Sequence, residues 1–69
     1  MKILDLRDKE YSNDMTYYLT DNDDLLFKDE LLECDKIVLK IWVNGFFPGT
    51  QSQWESEIFY KAMEFLKQN

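Results

Sequence analysis

The chain has 69 residues, 14 of them acidic and 8 basic, with no histidine and one cysteine, for a formal net charge of −6. A chain this short buries only about 60% of the surface its unfolded form exposes, so it holds one domain of marginal stability. The lone Cys34 rules out an intramolecular disulfide and the missing histidines remove the commonest metal ligand, whereas 45% hydrophobic and 16% aromatic residues are too many for a disordered segment.

In chain order, residues 2–6 read as a short strand interrupted by Asp5. They lack the apolar run of a signal peptide, and nothing downstream approaches the roughly 18 apolar residues of a transmembrane helix. With one free cysteine, the expected compartment is the cytoplasm. Residues 15–20 form a second predicted strand, and Asp21, Asn22, Asp23 and Asp24 supply the turn after it, because such side chains hydrogen-bond nearby backbone. Between Leu25 and Cys34 the apolar residues fit neither a helical nor a strand period, so a short strand over 25–28 followed by an irregular turn is expected.

Residues 36–43 alternate with period two. Ile37, Leu39, Ile41 and Val43 fall on one side, and Val38, Lys40 and Trp42 on the other. That is a central strand whose second face is only half polar. Asn44, Gly45, Pro48 and Gly49 then punctuate the chain around Phe46 and Phe47. Residues 51–67 are an amphipathic helix with Trp54, Ile58, Phe59, Ala62, Met63, Phe65 and Leu66 on one face. Ser52 with Glu55 is a capping-box pair, Thr50 with Gln53 a competing one, and Glu57 with Lys61 a favourable i, i+4 pair. The predicted fold is α+β: a small antiparallel meander of three or four strands packed on one face by the C-terminal helix.

The chemistry of the residues narrows the function. Without histidine, neither Ser-His nor Cys-His nucleophiles exist. Cys34 lies between Glu33 and Asp35, whose charge opposes thiolate formation. The turn from Asp21 to Asp24 fails the calcium-loop pattern, which would need an oxygen ligand and a glycine where Leu25 and Leu26 stand. The only glycines are Gly45 and Gly49, so no phosphate-cradling loop exists. A single arginine argues against direct nucleic-acid binding, and net acidity argues against anionic membrane surfaces. A non-enzymatic protein with no cofactor or metal is therefore expected.

The positive signal is where the charge sits. Asp21, Asp23, Asp24, Asp29, Glu30, Glu33 and Asp35 face only Lys28, while from Lys36 onward Lys36, Lys40, Lys61 and Lys67 outnumber Glu55, Glu57 and Glu64. Carboxylates spread over a small rigid domain imitate the phosphate spacing of a nucleic acid and give fast, salt-sensitive association with a basic surface. The expected function is stoichiometric binding to a basic, nucleic-acid-handling protein, with Tyr17, Tyr18 or Phe47 as aromatic anchors. Nuclease inhibitors, immunity proteins and phage anti-defence proteins share this size and charge. The alternative is an assembly module, homodimeric through Val38, Trp42 and Phe46, whose acidity serves solubility alone.

Overall fold

The computed structural model describes residues 1–7, 14–44 and 49–68. The elements are β1 (Lys2–Arg7), β2 (Asp14–Thr20), β3 (Leu25–Leu26), β4 (Ile37–Asn44) and α1 (Gln51–Gln68), with one 3₁₀ turn over Lys28–Glu30. They build an α+β arrangement in which one helix packs on one face of a four-stranded sheet of order β1-β4-β2-β3. The sheet is mixed. β2 pairs antiparallel with both β3 and β4, but β1 runs parallel to β4. The meander expected from chain order is therefore corrected at one point, since β4 lies between β1 and β2. The reason is compositional: β4 is the strand with apolar residues on both faces, and an interior position gives it a neighbour on each side.

The register separates the two faces cleanly. Leu4 and Leu6 lie beside Ile41 and Val43, and Tyr17 and Leu19 beside Ile41 and Leu39. Tyr17, Leu19, Leu39, Ile41 and Val43 are buried beneath Ile58 and Ala62 of the helix. Trp54, Phe59, Met63, Phe65 and Leu66 pack around them, as the helical period requires. The opposite side of α1 is exposed at Gln53, Glu57, Tyr60, Lys61, Glu64 and Lys67, and Glu57 meets Lys61 at 3.8 Å.

On the far side of the sheet, Ile3 pairs with Lys40, Lys40 with Tyr18, and Tyr18 with Leu26; Asp5 and Thr16 flank Trp42. No helix among the described residues covers this side. Trp42 is half-buried there, and Ile3 is 64% exposed. Val38 is the extra residue at a register shift, where Leu19 pairs with Leu39 but Thr20 with Ile37, and it packs against the core cluster instead.

The helix start follows the second of the two expected caps. The Thr50 backbone N–H donates to Gln53 Oε1 at 3.0 Å, and the Thr50 carbonyl accepts from the N–H groups of Gln53 and Trp54. Ser52 is inside the first turn, where its carbonyl accepts from the Ser56 hydroxyl at 2.8 Å. Gly49 precedes the cap at φ +109°, a conformation that side chains disfavour, and the Gln53 carboxamide folds over it.

Candidate functional site

The acidic residues are placed by three local hydrogen-bonding devices. Thr20, fully buried at the end of β2, accepts the N–H groups of Asn22 and Asp24 on its Oγ1, each at 3.3 Å. Its backbone closes the same turn, donating to the Asp24 carbonyl and accepting from the Asp23 N–H, both at 3.0 Å. Asp23 takes the left-handed conformation this demands, φ 62°, which Asp and Asn tolerate best among non-glycine residues. The Asp21 N–H donates to the Lys36 carbonyl at 2.8 Å, tying the turn to the approach of β4.

The second device is the 3₁₀ turn after β3. The Phe27 N–H donates to Glu30 Oε1 at 2.9 Å while the Glu30 N–H returns to the Phe27 carbonyl. A third follows, in which Leu32 donates its N–H to Asp35 Oδ2 at 2.8 Å and Asp35 donates to the Leu32 carbonyl. The seven acids read from the sequence thus divide into two kinds. Glu30 and Asp35 fold the segment. Asp21, Asp23, Asp24, Asp29 and Glu33 are exposed, and no side-chain hydrogen bond or ion pair engages their carboxylates among the described residues.

Because β3 is the last strand of the sheet, the residues that flank it in the chain lie along one edge. This edge abuts the N-terminal half of the helix rather than standing apart from it. Tyr17 bridges the two: its ring lies 4.5 Å from Phe27, tilted by 31°, and 6.3 Å from Trp54 in an edge-on contact. Between β3 and α1 runs an open groove of about 340 Å³ lined by Leu25, Ser52, Glu55, Ser56 and Phe59. Burial first, then the carboxylates of Glu55 and Glu30, push the Tyr17 phenol up to about 12. Glu55 therefore belongs with the acidic edge, although nothing local in the sequence separates it from the other helix acids.

Of the aromatic anchors, Tyr17 is corrected. It is fully buried, because its position in β2 points it at the helix, and it serves the core rather than a contact surface. Tyr18, one residue on, is half-buried on the far side of the sheet, beside Lys40 and Leu26. Trp42 shares that side, Val38 is corrected because the register shift beside it turns it to the core cluster, and Phe46 and Phe47 lie outside the described residues. Leu32 is exposed within the acidic segment, an apolar contact point that sequence periodicity did not single out. Cys34 is exposed beside it.

No group of three or more acidic, cysteine or histidine side chains among the described residues is arranged to hold a metal ion. No helix among them is long and apolar enough to cross a membrane. Comparison with protein families, curated proteins and solved structures found no match to this chain in any of the three.

Proposed function

We propose that this is a non-enzymatic cytoplasmic binding protein that occupies a basic surface of a nucleic-acid-handling protein stoichiometrically, in the manner of a nuclease inhibitor, an immunity protein or a phage anti-defence protein. The observation that carries the reading is the edge of exposed carboxylates at Asp21, Asp23, Asp24, Asp29 and Glu33, held by a backbone scaffold and joined to no cation among the described residues. Preorganised like charges cost little extra to present, and they steer association with a surface of opposite sign. Tyr18 and Leu32 supply apolar contact near that edge, and Phe47 remains a third anchor by sequence.

The test is capture of basic proteins on immobilised protein at two ionic strengths. The Debye length falls from about 30 Å at 0.01 M to about 3 Å at 1 M salt, so retention at the low end should be lost toward the high end. Asp23→Asn with Asp24→Asn should reduce retention at low salt, and Asn suits the left-handed backbone at position 23. Retention of nothing basic, or retention indifferent to salt, sinks the proposal.

A second reading has its own observation. The uncovered sheet side, with Ile3 64% exposed and Trp42 half-buried, suits self-association. A homodimer formed through it would persist or tighten as salt rises, and Trp42→Ser would dissociate it in sedimentation velocity. A monomer at all salt concentrations removes this reading.

A further inference from the structure

The groove between β3 and the first turns of α1 has an uneven chemistry. Leu25 and Phe59, each half-buried, form its apolar walls. Its polar groups are Ser52, Ser56 and Glu55, and their hydrogen bonds decide what they have left to offer. The Ser56 hydroxyl spends its proton on the Ser52 carbonyl at 2.8 Å, so its oxygen faces outward as an acceptor. Glu55 accepts one bond on Oε1, from Gln51 Nε2 at 3.0 Å, and a carboxylate has room for about three more. The site therefore combines apolar walls, surplus acceptors and negative charge.

That combination selects its occupant. An anion is repelled, and a purely apolar group leaves Glu55 desolvated without a partner. A cationic head on an aliphatic stem satisfies both parts. A planar guanidinium fits better than an ammonium, because it lies against an aromatic face while donating to several acceptors at once. A volume of about 340 Å³ is at the low end for small-molecule pockets, and suits one long side chain. Among the described lysines of the helix, Lys61 is already beside Glu57.

We propose that this groove receives a single arginine side chain from the partner protein, its stem against Leu25 and Phe59 and its guanidinium on Glu55 and the Ser56 hydroxyl oxygen. The proposal rests on the reading of the protein as a binder of a basic surface. It names a contact of stated geometry within that charged surface, and anchors of this kind are where interfaces concentrate their energy.

The probe is a blocked glycyl-arginyl-glycine peptide titrated into the isotopically labelled full chain, followed by amide chemical shifts. Saturable shifts are expected at Leu25, Ser52, Ser56 and Phe59, with millimolar affinity. Glu55→Gln should weaken binding about tenfold, the loss of one charge-assisted hydrogen bond. Phe59→Leu, which keeps an apolar core side chain, should weaken it less but measurably. Asp23→Asn with Asp24→Asn should weaken peptide binding less than Glu55→Gln does, since neither carboxylate lines the groove. Equal binding of the norleucine peptide overturns the proposal, as do shifts that never saturate or that centre on residues 21–24. If the peptide behaves as expected but no basic protein is captured at low salt, the groove stands and the functional reading falls. If a basic protein binds in a salt-dependent way and Glu55→Gln changes neither that nor the peptide titration, the reading stands and the groove falls.

Discussion

Thr20 shows how one buried hydroxyl organises an exposed, highly charged turn. Its Oγ1 serves the N–H groups of both Asn22 and Asp24, so the acids beyond it are presented on a backbone that does not depend on their own side chains. Thr20→Val keeps the shape and removes the acceptor. It should cost about 1 kcal/mol, a fall of about 4–8 °C in melting temperature for a domain of this size, and Thr20→Ser should recover most of it. Tyr17 makes a different contribution. Its phenol is raised from the ordinary 10.0 to about 12, so above pH 10 the unfolded chain releases this proton before the folded one does. The associated stability is present in full below pH 10 and is lost as the pH climbs toward 12. Tyr17→Phe should remove that slope from chemical-denaturation midpoints across this range. Among the described residues its hydroxyl has only the Met15 sulfur at 4.0 Å as a partner, a weak acceptor, so the variant should lose little stability at neutral pH.

Among the elements, α1 was the most legible in sequence, because a period of about 3.6 residues kept over 18 residues is a local property. The residues assigned to its apolar face are the ones that are buried or half-buried, and those assigned opposite are exposed. Its cap was less legible. Both Thr50 with Gln53 and Ser52 with Glu55 satisfy the spacing, and the choice fell to Gly49, whose positive φ brings the chain in where Gln53 can reach back to Thr50. A Cβ at position 49 would collide with the Gln53 carboxamide oxygen. Gly49→Ala should therefore destabilise by about 1–3 kcal/mol. Adding Gln53→Ala should relieve the collision and leave the backbone strain, so the double variant should not regain wild-type stability in thermal melts. The segment after β2 was legible as a turn, a short strand over 25–28 and an irregular stretch, and the strand proves shorter, Leu25–Leu26. Its two-residue strand and its turns depend on Glu30 and Asp35 bonding backbone groups three residues away, a choice that composition alone does not make.

For the whole molecule, charge and core are adjacent rather than opposed. The acidic edge meets the N-terminal half of the helix through Tyr17, Phe27 and Trp54, so the surface proposed to bind a partner rests directly on the core. The cost is self-repulsion among exposed carboxylates. Asp23→Asn with Asp24→Asn should thus raise stability by a few tenths of a kcal/mol at low salt, and the gain should vanish at high salt, while partner binding falls. A pair of variants that moves stability and binding in opposite directions separates a surface kept for recognition from one kept for folding. Urea midpoints at both ionic strengths measure the first quantity.

The sequence by itself determined the strands at both ends of the acidic segment, the helix and its inward face, the two sides of β4 from Leu39 to Val43, and the excess of charge between Asp21 and Asp35. Each of these follows from spacing between near neighbours, which the backbone geometry of strands and helices imposes directly. Only the tertiary structure decided that β1 joins β4 in parallel, that Tyr17 belongs to the core, that Glu30 and Asp35 hold the fold, and that Glu55 meets Leu25 across a groove. These depend on which distant segments share a register, and pairing free energy is settled by the burial of a whole sheet face rather than by any residue and its neighbours.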